Sequence, residues 1–358
     1  MIISCGIIGL PNIGKSTLFN YLTSNNIKAE NYPFCTITQH VGTIKIFNNK
    51  LNTLSNIINN KQTIYQTMSF IDIAGLVKGS NNGEGLGNQF LSNIKNVQTI
   101  CHLVRCFEDK QISHIDTTIN PIRDIKTIET ELILADYSFI EKKIKKDKKN
   151  TKFISYCKQL LKHLNKGSKA QTFKYDKTNH ELSKYINDMN LLTNKPNYFI
   201  ANVNLNTMLG KSNTHLNNVK NFLKNRNDNI YSICANIATK SSYATNKKTY
   251  NYLINKTKYT IKDIIEKNLK LLNLITYLTI GKKEIKAWII RKNTNAIQAA
   301  KMIHNDIQQG FIKSDVIHWK DFIKYKSIIK CKRAGIVKLK GKTYKIQNGD
   351  IIYFRFNI

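Results

Sequence analysis

Apolar runs of five to seven residues, each closed by a polar or glycine-bearing segment, recur through the first two-thirds of the chain. They are Ile2–Ile8, Val41–Ile46, Met68–Asp72, Ile100–Cys106, Asn197–Asn202 and Ile230–Ala235. Runs this short and this continuously apolar read as strands buried on both faces. The stretches between them carry apolar residues three and four positions apart, the spacing of a helix with one buried face. Strand and helix patterns in alternation predict an α/β fold around a mostly parallel sheet.

The alternation stops between Ile122 and Lys195, a stretch dense in Lys and poor in Gly and Pro. Within it, Ile125–Lys146 and Lys152–Leu164 keep helical spacing, which predicts an inserted antiparallel helical hairpin or coiled-coil arm. From about Leu274 the pattern changes again. Short strand-like runs at Tyr277–Thr279, Lys286–Ile290, Lys338–Lys340 and Ile351–Phe356 surround a helical stretch, Ala296–Asp306, and Gly349-Asp350 reads as a turn. The expected division is therefore 1–121 and 196–272 for the α/β core, 122–195 for the arm, and 273–358 for a separate α+β module.

Length and composition agree with several cores: 358 residues at 41% hydrophobic content suit two or three domains. No apolar run approaches the roughly 20 residues that span a bilayer. Met1–Leu10 has neither a basic leader nor a small-residue cleavage site, so a cytoplasmic protein with no membrane association is expected. The seven cysteines are dispersed, without a C-x-x-C pair, which argues against a disulfide framework or a structural zinc site. They read as small buried residues in a reducing compartment, with Cys35 also a candidate redox-sensitive thiol. A net charge of +33, from 56 Lys+Arg against 23 Asp+Glu, suits attraction to RNA. The abundance of Lys, Asn and Ile equally suits an AT-rich coding bias, and composition does not choose between the two.

Chemistry enters with Gly9-Leu10-Pro11-Asn12-Ile13-Gly14-Lys15-Ser16, which fits G-x-x-x-x-G-K-[ST] between an apolar strand pattern and the start of a helix. Glycine at both ends lets backbone N–H groups and the helix N-terminus wrap a polyphosphate. Asn12, Ile13, Gly14, Lys15, Ser16 and Thr17 are thus the nucleotide-binding candidates. Lys15 suits the β- and γ-phosphates, and the Ser16 hydroxyl suits Mg²⁺. By itself the motif implies nucleotide binding and leaves the reaction open.

A second element follows the strand pattern Met68–Asp72. Asp72-Ile73-Ala74-Gly75 is a D-x-x-G sequence, in which Asp72 holds Mg²⁺ through water and the Gly75 N–H senses a γ-phosphate whose loss releases the loop. Thr36, between the two motifs, is the expected third Mg²⁺ ligand. The residue after Gly75 is Leu76, which cannot orient an attacking water, so hydrolysis is slow or uses another polar group. His102 and His114 are the candidates by chemical type. Asn12 is also a candidate to coordinate K⁺ in place of an arginine finger.

With Asn31–Thr36 and Asp72–Asn88 added to the phosphate loop, the chain resembles the YchF or Obg-like ATPases, P-loop NTPases related to translation factors. The likeness continues through His102–Glu108, Asn120-Pro121, Ala201–Asn204, Lys286-Ala287-Trp288, Gly310-Phe311-Ile312 and Asn348–Ile358. It implies a G domain, a coiled-coil arm and a C-terminal ubiquitin-like TGS domain. It also implies ATP hydrolysis in preference to GTP, association with ribosomes, and a catalytic role for His114. Where GTPases read guanine with N-K-x-D, this chain has Asn202-Val203-Asn204-Leu205, and Leu205 accepts no hydrogen bond. Guanine selectivity is therefore not expected, and adenine is left to the side chain of Asn202 and the backbone near Val203. Two readings follow for a chain expected to be monomeric: a slow ATPase switch, with GTP not excluded, and a nucleotide-gated RNA- or ribosome-binding module in which hydrolysis is incidental.

Overall fold

The computed structural model describes residues 3–23, 40–58, 62–73, 86–147, 150–176, 178–237, 247–281 and 283–357. In chain order its elements begin β1 (Ile3–Ile8), α1 (Lys15–Thr23), β2 (His40–Lys45), α2 (Asn49–Ile57), β3 (Gln62–Ile64), β4 (Thr67–Asp72), α3 (Leu86–Asn96) and β5 (Thr99–Arg105). They continue with α4 (Pro121–Lys146), α5 (Thr151–Asn165), α6 (His180–Met189), β6 (Asn197–Asn202), α7 (Leu205–Met208), α8 (Thr214–Lys224), β7 (Ile230–Ile233) and α9 (Lys247–Leu271). The chain forms two compact units, one of Ser4–Ile44 with Ser69–Ile264, the other containing Lys45–Met68 and Ile265–Ile358.

The larger unit holds the α/β core. Its sheet runs β2-β4-β1-β5-β6-β7, with β1–β5, β5–β6 and β6–β7 parallel. Every residue of β1 and β5 is buried, as a central parallel strand requires. Register pairs Ile8 with His102 and Arg105 with Asn202, so the carboxyl ends of β1, β5 and β6 meet along one edge of the sheet. Ligands of doubly wound sheets bind at that edge, beside the strand where the order reverses.

The insertion is helical as expected, but among the described residues it has three α-helices, α4, α5 and α6, where the pattern suggested two. Asn120 caps α4 through Arg123 N–H, with Pro121 in the first turn, where a missing N–H costs nothing. Ile125 near that end packs with Val104, Phe199 and Leu216 of the core. Farther along, Ile133 and Ile140 join Phe153, Cys157 and Leu160 of α5 and Ile186 and Met189 of α6 in a separate apolar cluster. Buried Asp136 of α4 closes the return by accepting from Leu192 N and Thr193 N, both at 2.8 Å, and from Thr193 Oγ1 at 2.6 Å.

The smaller unit adds β8 (Leu274–Ile280), β9 (Glu284–Arg291), α10 (Ala296–Ile303), α11 (Asn305–Gln309), β10 (Phe311–His318), α12 (Trp319–Tyr325), α13 (Ile328–Arg333), β11 (Lys338–Lys340) and β12 (Asp350–Phe356). Its sheet order is β11-β10-β12-β8-β9-β3. β8–β9 and β10–β12 are antiparallel, and β12 lies parallel to β8, a ubiquitin-like arrangement. Strand β10 was not expected from the pattern, because buried Ser314 and Asp315 interrupt its apolar alternation. The expected helix Ala296–Asp306 is broken at His304, which is extended (φ −160°, ψ 148°) and whose Nδ1 accepts from Asp306 N to cap α11.

The domain boundaries differ from the expected ones in one substantial way. Lys45–Met68, assigned from sequence to the α/β core, belongs to the smaller unit. There β3 lies parallel to β9, and Leu51 and Leu54 of α2 are buried with Leu278, Ile285 and Phe322. An edge strand that would otherwise be open is covered, and α2 finds the apolar partners its spacing demands.

Candidate functional site

The phosphate loop runs from β1 into α1 at the carboxyl edge of the parallel sheet. Gly9 has φ 156°, and a Cβ there would stand 2.7 Å from the Leu103 carbonyl oxygen; Gly14 has φ 92°, and a Cβ there would meet Asn202 Nδ2 at 2.5 Å. Both positions therefore require glycine. Asn12 is held at φ 59°, and its Nδ2 donates to Ser113 Oγ at 3.2 Å. That bond ties the phosphate loop to a neighbouring loop through the amide nitrogen, and no observation on the described residues supports K⁺ coordination by Asn12.

Lys15 is buried and donates from Nζ to the Leu10 carbonyl at 2.8 Å. Loss of solvation lowers its pKa to about 8, against the pull of Asp72 in the other direction. Ser16 Oγ donates to Asp72 Oδ2 at 2.7 Å. The second carboxylate oxygen, Asp72 Oδ1, is buried without a hydrogen-bond partner among the described residues. An orphaned carboxylate oxygen beside a serine hydroxyl at a phosphate loop fits a divalent cation, because a buried acceptor without a donor or cation is costly. The two switch candidates, Thr36 and Gly75, lie outside the described residues, as do Cys35 and Leu76.

At the expected base end the residues turn inward. Asn202 is buried; its Nδ2 donates to the Ile13 carbonyl at 2.8 Å and its Oδ1 accepts from Ala235 N at 3.1 Å. The side chain braces the phosphate loop against the ends of β6 and β7 and is not turned toward a base. Val203 is buried in the apolar cluster around Phe199, and its N–H donates to Ile233 O. Asn204 caps α7 through Thr207 N, and Leu205 packs on the same cluster. Ile13 is likewise a core residue, while Thr17 is half-buried on α1.

The two histidines part company. His102 is buried in β5 against Phe199, with ring centroids 5.1 Å apart, and burial lowers its pKa to about 4. It is a neutral core residue and drops out as a source of polar chemistry. His114 stands on the loop after β5. Its Nε2 is 3.0 Å from Asp124 Oδ2, and its Nδ1 is 3.1 Å from Asp116 N. A carboxylate accepts only, so Nε2 donates to Asp124, while Nδ1 also lies 2.9 Å from the Asp116 carbonyl oxygen. Asp124, at the start of α4, is itself buried, which raises its pKa, while the bond from His114 acts to lower it. His114 is thus tied to α4 through its ring and to the phosphate loop through its neighbour Ser113.

Sequence reasoning missed Ser113, Asp124 and Arg105. Arg105 is the last residue of β5 and is 1% exposed. A charge at the end of a buried strand was the available signal, since an arginine so placed must find internal acceptors.

The family model described as 50S ribosome-binding GTPase matches residues 4–136, and YchF-GTPase_C, described as a protein of unknown function, matches 274–357. A protein of Buchnera aphidicola subsp. Acyrthosiphon pisum named ribosome-binding ATPase YchF is 42% identical over 364 residues, covering 99% of both chains. Its Bacillus subtilis namesake is 36% identical over 369 residues, covering all of both. Among solved structures, the Schizosaccharomyces pombe YchF GTPase superposes with a TM-score of 0.82 at 28% identity, covering 99% of this chain and 97% of that one.

Proposed function

The chain belongs to the YchF family, and from that premise we propose that it is a cytoplasmic, ribosome-associated switch that binds ATP with Mg²⁺ and hydrolyses it slowly. One observation carries the reading: the Ser16–Asp72 bond joins the phosphate loop to the start of the D-x-x-G sequence, with a buried carboxylate oxygen left for a cation. The Gly9–Gly14 backbone and the N-terminus of α1 take the phosphates, and Lys15 leaves the Leu10 carbonyl for the phosphate oxygens. Ser16 and Asp72 hold the metal, with Thr36 as the expected further ligand. When bound, Mg²⁺ offsets charge on the phosphates that face it.

His114 is the group proposed to polarise water, and Gly75 N–H the sensor of the γ-phosphate. With Nε2 donating to Asp124, the ring must turn from that carboxylate before it can reach water, which suits low basal turnover. The base is selected by packing and backbone, since Leu205 offers guanine no acceptor. ATP is the proposed substrate; the names of the relatives differ on this point, ATPase for the Buchnera aphidicola and Bacillus subtilis proteins and GTPase for that of Schizosaccharomyces pombe. The proposed working unit is a monomer. The test is steady-state turnover of the full chain with ATP and GTP. Turnover that collapses in Lys15→Ala supports the reading, and equal turnover in that variant discards it.

The bonds that hold both nitrogens of His114 favour a second reading, in which nucleotide occupancy gates ribosome binding and hydrolysis is incidental. Co-sedimentation with ribosomes in ATP, a non-hydrolysable analogue and ADP separates the two. Equal retention in all three contradicts nucleotide gating.

A further inference from the structure

Between the end of β5 and α4, residues 106–120 form no helix or strand, and their backbone carbonyls need partners other than a ladder. Arg105 supplies partners for four of them. Its Nε donates to Phe107 O at 3.2 Å; one terminal nitrogen donates to Ile112 O at 3.1 Å and Ser113 O at 3.4 Å; the other donates to Asp109 O at 3.2 Å and Ile112 O at 3.1 Å. The guanidinium also lies over the Phe107 ring, 4.7 Å from its centroid.

This is an unusual use of a buried arginine. Burying a guanidinium costs several kcal/mol unless its donors are met, and an ion pair is the common solution. Here the donors go to backbone carbonyls of one loop, and the planar fork suits several acceptors at fixed angles. Ser113 lies within that loop, its hydroxyl accepts from Asn12 in the phosphate loop, and His114 follows directly. A rigid strand, a guanidinium and a loop therefore connect β5 to the phosphate loop.

We propose that Arg105 is a positioning residue of the site: it sets the shape of Phe107–Ser113, and through Ser113 fixes where His114 stands relative to the phosphate loop. The kinetic part of this rests on the hydrolytic reading above; the structural part does not. The donors of Arg105 go to backbone carbonyls of the loop, so its loss reduces turnover by misplacing His114, and displacements of about 1 Å cost up to roughly a hundredfold in rate.

The experiment compares the full chain with Arg105→Lys, Arg105→Met and Ser113→Ala, by amide hydrogen exchange and by turnover against ATP concentration. Lysine keeps the charge but reaches fewer of the carbonyls. Exchange in 107–114 is expected to rise about tenfold in Arg105→Lys while the core amides of β5 and β6 stay protected. The kcat is expected to fall in the order Ser113→Ala, Arg105→Lys, Arg105→Met, with KM little changed. If Arg105→Met fails to fold, the other two variants still decide. Unaltered exchange in 107–114 of Arg105→Lys overturns the proposal, as does full kcat in both remaining variants. Absence of turnover in the unaltered chain counts against the hydrolytic reading, and the exchange result then decides the role of Arg105.

Discussion

Asn202 at the end of β6 donates to the carbonyl of Ile13, at 2.8 Å, across 189 positions of sequence. Its other amide atom accepts from Ala235 beyond β7, so one buried side chain joins three segments at the carboxyl edge of the sheet. The residue that a nucleotide-binding motif would assign to base recognition here shapes the phosphate loop itself.

Asn202→Ala leaves the Ile13 carbonyl and the Ala235 N–H buried without this partner. The expected loss is about 1–3 kcal/mol of unfolding free energy, read by urea denaturation. Affinity for ATP and GTP should weaken together, because the phosphate grip is common to both. A variant that changed the ratio of the two affinities by an order of magnitude would restore base reading to Asn202.

Lys15 gives a pH signature. Burial lowers its pKa to about 8 in the chain without nucleotide, whereas adjacent phosphates favour the ammonium and raise it. The bound form therefore holds more protons than the free form above about pH 8, binding takes up a proton there, and affinity falls as pH rises through about 8. Well below that range Lys15 is charged in both forms and contributes no slope. Calorimetric titration with ATP near pH 8, in two buffers of different ionisation enthalpy, measures the uptake. Identical heats in both buffers contradict the assignment.

Asp136 is predicted to be a stability residue of the arm. Its carboxylate meets Leu192 N, Thr193 N and Thr193 Oγ1, so Asp136→Ala strands two buried amide donors at the point where the arm returns to β6. A loss of about 3 kcal/mol is expected. Asp136→Asn is no rescue, because one amide end turns N–H against N–H. Unfolding midpoints of both variants within a degree of the unaltered chain would refute this.

Much of the site was legible in the chain because local rules write it. Gly9 and Gly14 sit where positive φ and close approach admit only glycine, and Lys15-Ser16 follows in the fixed spacing of a loop that opens a helix. Asp72 ends a strand whose apolar run announces it. The partition of lysines was not legible. By composition Lys95 and Lys195 are two of 56 basic residues, yet Lys195 is buried, with Nζ donating to the Lys95 and Val97 carbonyls and to Asn190 Oδ1. Periodicity along one segment says which face of an element is apolar and is silent about what stands opposite it.

The six core strands, the helical insertion, the terminal α+β module and the phosphate loop are properties of the sequence, since each depends on residues close together in the chain. Only the tertiary structure assigned α2 and β3 to the smaller unit, turned Asn202 to the phosphate loop, buried His102 as a neutral core residue, and gave Arg105 its loop. Each of those outcomes turns on partners that are distant in the chain or on degrees of burial. A hydrogen bond or a desolvation penalty has no value until the fold has brought its two sides together.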